Sequence, residues 1–226
     1  GGAGVVSAEP WHHADRPVEQ LSLVANVVAL MGTGAFSGRR RGPTARVPVA
    51  FGPCLAVDRA TYDRAGGHAA PDVRARICED LYLARAVAAA GLPVAVYAGR
   101  DVVAMRMYPD GPRQAFDGWT KVLATGAAGA DRWAALGAAV WVAGAIVAVR
   151  RPAAYAAYAL QLAWLGRAAG AFGPLTAAAY PAPLAFFVAA SARSAAKTAT
   201  GRPLAWRGRA LTGRPVVGPG SAGGPG

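Results

Sequence analysis

No carboxylate side chain follows Asp131: all twelve acidic residues lie between Glu9 and Asp131. That absence argues against a second region of ordinary mixed charge in the C-terminal part. Cysteine is almost missing as well. Cys54 and Cys78 alone make neither a disulfide framework nor a metal site, and both stand in apolar contexts that suit small core residues. Lysine supplies two of twenty-four basic residues. With so much Ala and Gly, that preference for Arg is also what a coding bias would produce. The start, Gly-Gly without Met, has no layout of basic flank, apolar run and cleavage site, and reads as the middle of a longer protein.

What is present divides the chain by charge. Before position 133, fifteen basic residues accompany the twelve acidic ones, about +3. The remaining nine basic residues stand alone and give about +9. The positive residues flank apolar segments and do not alternate with aromatics along a groove. That distribution suits anionic lipid as counter-charge and gives no support to nucleic acid.

The first 132 residues alternate short strands with helices, the mark of an α/β layer with an incomplete sheet. Val5–Ala8, Val47–Val57 with a break at Gly52-Pro53, Val94–Tyr97 and Val102–Met107 are strand candidates, and Trp11–Arg16 is a polar loop. Val18 to about Leu30 carries apolar residues at helical spacing behind Glu19. Gly32–Arg46 is a loop. Asp58 caps a short helix ended by Gly66-Gly67, and Glu79–Ala90 is a second helix stopped by Gly91. Asp110-Gly111 leads into a helix holding Phe116, Trp119 and Lys121.

Residues 133–192 have a different texture. Trp133–Val149 is free of charge, Ala153–Phe172 contains only Arg167, and Leu175–Ala192 is loosened by Pro181 and Pro183. Two to three membrane helices are expected there, with a basic juxtamembrane segment at 193–212 and a disordered tail at 213–226. An alanine-rich buried core helix is the plainer alternative.

Few residues suggest chemistry by themselves. Glu79-Asp80 at a helix start is stabilised by the helix dipole whether or not it reacts. His12-His13 with Asp15 lacks metal-ligand spacing. Gly66-Gly67 is an ordinary helix end, and Trp119 fits a membrane-interface aromatic.

The order of the motifs says more. Val6-Ser7-Ala8-Glu9-Pro10-Trp11-His12, Glu19-Gln20-Leu21-Ser22, Gly52-Pro53-Cys54-Leu55 and Tyr62 with Gly66-Gly67-His68 come first. Glu79-Asp80, Arg106-Met107-Tyr108 and Gly118-Trp119-Thr120-Lys121 follow. In that order they resemble the second half of the catalytic domain of membrane-bound family 2 glycosyltransferases of GT-A fold. Bacterial carotenoid-acid glycosyltransferases are the most similar group, hopanoid-associated ones the next. Trp206-Arg207-Gly208-Arg209 resembles an element that follows the membrane segments of such enzymes.

The resemblance implies a partial GT-A domain lacking its nucleotide-binding half, followed by transmembrane helices. It implies inverting transfer of a sugar from a nucleotide sugar, UDP-glucose foremost, to a lipid-like acceptor at the cytoplasmic face of the inner membrane. Asp80 matches the general base, with Glu79 beside it. Trp119, Lys121, Arg106, Gly52 and Gly67 fall at substrate-binding positions. A carboxylate acceptor is already ionised near neutral pH, so for that substrate Asp80 would position more than deprotonate.

The family's Asp-x-Asp motif, which holds a divalent Mg or Mn ion with the donor diphosphate, occurs nowhere in this chain. The metal is expected only for a full-length enzyme, and the chain alone is expected to be inactive. Two other readings remain: a catalytically dead membrane scaffold that binds a partner, and a transporter subunit resting on Arg167 alone.

Overall fold

The computed structural model describes residues 4–33, 48–74, 76, 78–100, 103–129, 132–200, 204–206 and 209–211. Most of the loop expected at 32–46, the tail 213–226 and the centre of Trp206-Arg207-Gly208-Arg209 lie outside the described residues. The chain runs β1 (Val5–Glu9), β2 (Trp11–His13), α1 (Pro17–Gln20), α2 (Leu23–Thr33), β3 (Leu55–Val57), α3 (Arg59–Arg64), α4 (Glu79–Ala89), β4 (Val94–Ala98) and β5 (Ala104–Arg106). Helices α5 (Pro112–Gly129), α6 (Arg132–Ala148), α7 (Pro152–Ala169), α8 (Pro174–Ala178) and α9 (Pro181–Ala199) follow. A last hairpin pairs β6 (Leu204–Trp206) with β7 (Arg209–Leu211).

The expected mixed α/β layer is present, and its sheets are small. β1 is central, antiparallel to β3 and parallel to β4, while β2 pairs in parallel with β5. Trp11–His13 is therefore a strand where the local sequence reads as a polar loop. Its partner lies some ninety residues away, so no local signal announces it. The expected strand over Val47–Val57 shrinks to Leu55–Val57, because Gly52–Cys54 forms a 3-10 turn ahead of it. The helix expected from Val18 to Leu30 breaks at Leu21-Ser22 into α1 and α2. Asp58 caps α3 as its position predicts, accepting from the Thr61 amide at 3.0 Å.

The expectation of membrane-spanning helices is corrected. Among the described residues no helix is long and apolar enough to cross a membrane. α6 has seventeen residues, about 25 Å of rise against roughly 30 Å of hydrocarbon. α7 includes Gln161 and Arg167 and is dominated by alanine. Pro174 and Pro181 start new helices instead of extending old ones, so the third expected span is divided into α8 and α9.

One apolar core runs across residue 132. It joins Leu23 and Val24 of α2, Trp119 of α5, Leu162 of α7, and Tyr180 and Leu184 at α9. A smaller core of Val5, Leu83, Val87 and Val94 seals α4 onto the sheet.

Polar contacts set how these layers meet, and the quoted motifs prove to be partners of one another. Glu19, 2% exposed, accepts from Arg106 Nε at 2.8 Å through Oε1 and from the Arg16 amide at 2.9 Å through Oε2. The neighbouring Gln20 accepts from the Gly173 amide at 3.0 Å and Thr176 Oγ1 at 2.7 Å, and donates to the carbonyls of Ala171 and Ala14. Ser22 Oγ accepts from Trp119 Nε1 at 2.9 Å. The Tyr108 ring meets Trp119 edge-on at 6.0 Å and lies where a side chain at position 118 would stand. Glycine there is a space requirement.

Burial alone would raise the Glu19 carboxyl, but hydrogen bonds from Arg106 and the Arg16 amide hold it below its ordinary value. A carboxyl depressed in this way contributes stability above its unfolded value, and that contribution is lost as pH falls through the folded one. Urea midpoints measured from pH 7 downward should therefore fall as pH drops below about 4. Glu19→Gln should lower the unfolding free energy at pH 7 by about 1–3 kcal/mol, read as a lower urea midpoint, and should flatten this part of the profile.

Candidate active site

Asp80 owes its setting to three elements. It stands in the first turn of α4, whose start follows Cys78. Facing it is the Gly52–Cys54 turn, which Ser7 on β1 holds in place: Ser7 Oγ accepts from the Phe51 amide at 2.7 Å and lies 3.1 Å and 3.0 Å from the Phe51 and Cys54 carbonyls. That clamp aims the Gly52 amide at Asp80 Oδ2, 2.6 Å away, while Oδ1 accepts from the Leu81 amide at 2.9 Å. A Cβ on Gly52 would come within 3.0 Å of Oδ2. Glycine at 52 thus lets the backbone approach the carboxylate.

Burial pushes the Asp80 carboxyl above its ordinary value. Hydrogen bonds from the Leu81 and Gly52 amides pull it back, and the adjacent charge of Glu79 raises it further. A carboxylate so placed is oriented by two amides yet is more basic than a free one, which is useful in a general base.

Asp80 borders a cleft of about 1400 Å³. Around Asp80 the lining includes Gly52, Cys78 and Glu79. Elsewhere it is mainly apolar: Val28, Ala29 and Leu30 of α2, Ala138, Ala139, Val142 and Ile146 of α6, and Phe187 and Ala195 of α9. Such a space sets the Asp80 carboxylate beside a long, mainly apolar remainder, the form suited to an amphiphile.

The other expected site residues divide. Gly52, Glu79, Arg106, Trp119 and Lys121 all line this cleft with Asp80, and Gly67 does not. Gly67 has φ 51°, and its absent side chain leaves room for the Tyr62 ring, which would lie 2.3 Å from a Cβ. Tyr62 Oη in turn lies 2.8 Å from His68 Nδ1 and accepts from the His68 amide. The Gly-Gly-His motif therefore shapes a turn. Trp119 is 1% exposed with its indole N–H held by Ser22, so it is a wall of the cleft more than a free platform. Arg106 is committed to Glu19 through Nε.

Glu9 and His12 also line the cleft, although residue-by-residue reading weighed His12 only against a metal with His13. The signal was available: a carboxylate and an imidazole three positions apart around a proline, in a stretch that turns from one strand into the next. Among the described residues no three His, Cys, Asp or Glu side chains come together to hold a metal ion. They do not fit the divalent ion that the resemblance implies for a full-length enzyme, and no step is routed through one.

No family model matches the chain, and no solved structure matches it. Curated relatives do. The chain is 30% identical, over 92% of its length, to 4,4'-diaponeurosporenoate glycosyltransferase of Staphylococcus aureus strains USA300, NCTC 8325 and MRSA252. It spans 59% of the length of these relatives. The resemblance carried by the ordered motifs is thereby borne out: nearly the whole chain is similar to part of a glycosyltransferase named for a carotenoid acid.

Proposed function

We propose that this chain is the acceptor-side portion of a glycosyltransferase that moves a sugar from a nucleotide sugar to a lipid-like acceptor, with inversion and with Asp80 as base. The observation that carries the reading is the placement of Asp80, aimed by Gly52 and made more basic by burial, on a long and mainly apolar cleft. The hydrocarbon part of an acceptor would lie along α2, α6 and α9 with its oxygen toward Asp80. In the step itself that oxygen forms a bond to the anomeric carbon as the bond from that carbon to the diphosphate breaks.

For a hydroxyl acceptor the proton passes to Asp80. For a carboxylate there is no proton to take, and Asp80 with Glu79 then acts on position. A carotenoid acid is the favoured acceptor, after the relatives' name, with a hopanoid or other lipid next. UDP-glucose is the favoured donor. Lys121 and Arg106, on the same cleft, are placed to offset diphosphate charge, Arg106 through the part of its guanidinium not engaged by Glu19.

Membrane contact at the cytoplasmic face of the inner membrane belongs to the same reading. Trp133, Val140, Leu160 and Trp164 are largely exposed on α6 and α7, whose junction carries Arg150 and Arg151. Apolar side chains beside paired arginines suit an interface with anionic lipid.

In a full-length protein carrying this segment, Asp80→Asn should lower transfer to a hydroxyl acceptor by about 10²–10⁴-fold. The parent's rate should fall on acidification at a pH above the usual carboxylate range, and the variant should lack that limb. An unchanged rate removes Asp80 from the role, and ester or glycoside linkage in the product tells an acid acceptor from a hydroxyl one. Titrating the 226 residues alone with UDP-glucose should give no tight binding, since the chain has no Asp-x-Asp motif. Flotation with vesicles should recover the chain on phosphatidylglycerol-rich membranes and much less on neutral ones, with 0.5 M salt, well beyond about 0.15 M and its screening length near 8 Å, weakening the difference.

A further inference from the structure

Along its helical walls the cleft is mainly apolar, and the proposed transfer gives its few polar side chains on α2 and α9 no task. α2 places one polar residue, Asn26, in the run from Leu23 to Met31. Asn26 is 3% exposed and lines the cleft. On α9, Ser191 and Ser194 are three positions apart, hence on one face, and both line the cleft; Ser194 is 4% exposed. Among the described residues the facing α6 wall supplies only apolar side chains. α2 and α9 pack on each other, so these polar groups stand on walls that meet.

Asparagine is a poor choice for the middle of a buried helix, because it competes for backbone hydrogen bonds and its amide must be paired. Half of that amide is accounted for: Nδ2 donates to the Ser22 carbonyl at 3.2 Å. The bond fixes which way the amide faces, since a carbonyl has no hydrogen to give Oδ1. Oδ1 is left over, and among the described residues nothing donates to it. The Ser194 hydroxyl likewise has no partner there, whereas the Thr198 hydroxyl is used on the Ser194 carbonyl at 3.0 Å.

Neither atom is sealed in. Among the described residues, the side-chain atoms that lack both a partner and accessible surface belong to Glu9, His12 and Asp58. Asn26 Oδ1 and Ser194 Oγ lack a partner but keep surface on the cleft. Water satisfies them while the cleft is wet. A lipid that fills the cleft displaces that water, and a plain hydrocarbon then leaves both atoms unpaired, a cost that a matching polar group avoids. A hydroxyl matches: it donates to Oδ1 and accepts from the serine O–H. Neither residue titrates, so this pattern holds at any working pH. A keto oxygen only accepts and leaves Oδ1 unmatched.

We infer that Asn26 and Ser194, with Ser191 beside them, form a neutral recognition point for a hydroxyl carried on the hydrocarbon frame of the lipid, apart from the oxygen that reacts. The inference rests on the reading of this cleft as the acceptor's, and it deepens that reading: among lipid-like acceptors, those with a hydroxyl on their frame are preferred. Asn26 and Ser194 set specificity and take no part in bond making.

The test is binding, without any transfer, of long-chain alcohols delivered from cyclodextrin to the 226-residue chain and followed by calorimetry. The probes are 1-octadecanol, octadecanediols whose second hydroxyl stands at successive carbons of the middle of the chain, and the matching keto alcohols. At least one diol should bind about tenfold more tightly than 1-octadecanol and than its own keto counterpart. Asn26→Leu and Ser194→Ala should each abolish that preference by weakening the diol, with 1-octadecanol bound as well as before or better.

In Asn26→Leu the Ser22 carbonyl keeps the backbone amide of residue 26, at 2.9 Å in the parent. Should that variant fail to fold, Ser194→Ala, which removes a single hydroxyl, decides. Equal binding of the diols and 1-octadecanol, a keto alcohol bound as tightly as its diol, no saturable binding of any probe, or a folded variant that keeps the parent's preference would each overturn the inference. Loss of the Asp80 effect on transfer in the full-length enzyme would leave the diol preference standing, and loss of that preference would leave Asp80 its role, so the two readings fail separately.

Discussion

Two consecutive polar side chains, Glu19 and Gln20, hold together layers that apolar packing alone would leave free to slide. Glu19 is buried and ties β5 to the start of α1 through Arg106 and the Arg16 amide. Gln20 reaches the opposite way, to the backbone between α7 and α8. Apolar contact is non-directional, and alanine-rich helices such as α6 and α7 offer few shapes that lock. Satisfied buried hydrogen bonds are directional, and an unmatched one is costly, so they set register where packing does not. The strand layer and the helical layer consequently meet in one arrangement.

The cleft is a consequence of that arrangement. α2 enters the helical layer directly after the Glu19–Ser22 turn and packs against α5, α6, α7 and α9. Its half-buried C-terminal turns then face α6 and α9 across an apolar space, while the sheet side contributes the Gly52 turn and the start of α4. Two carboxyl-bearing regions, Asp80 with its amide cradle and Glu9 with His12, arise where the strand layer reaches this space. Both carboxyls are lifted by burial, and they differ in what surrounds them: Asp80 is held by backbone donors, whereas Glu9 leans on an imidazole and keeps an oxygen unused.

The ordered motifs acquire a physical meaning. Glu19 pairs with Arg106, Ser22 with Trp119, Gly118 makes room for Tyr108, and Ser7 clamps the turn containing Gly52. Three of these contacts link segments more than forty residues apart and the fourth joins neighbouring motifs, so a motif of three or four residues is one half of an interaction whose other half is another motif. Their order therefore carries more information than any one of them. Much of it concerns architecture: Arg106 and Trp119, expected on the substrate, are spent in large part on the fold.

Local chemistry was legible from the sequence wherever the cause is local. Asp58 as a cap, Gly91 as a helix end, α4 beginning at Glu79, α5 containing Trp119, and the carboxylate pair itself all depend on neighbours within a few residues. The charge division was legible too, and with the motif order it pointed to the glycosyltransferase likeness. Tertiary structure alone decided the rest. β2 exists because β5 lies beside it, and the apolar stretch 175–192 is divided between two helices, since Pro174 and Pro181 each start one, while α6, α7 and α9 pack on α2 and α5. The junction of Glu9 with His12, and the meeting of Gly52 with Asp80, depend on strand pairing and on a serine clamp between distant segments. The contact of Gly52 with Asp80 is a property of the folded chain, because its partners lie twenty-eight residues apart, and the junction of Glu9 with His12, though close in sequence, forms only where the chain passes from β1 into β2.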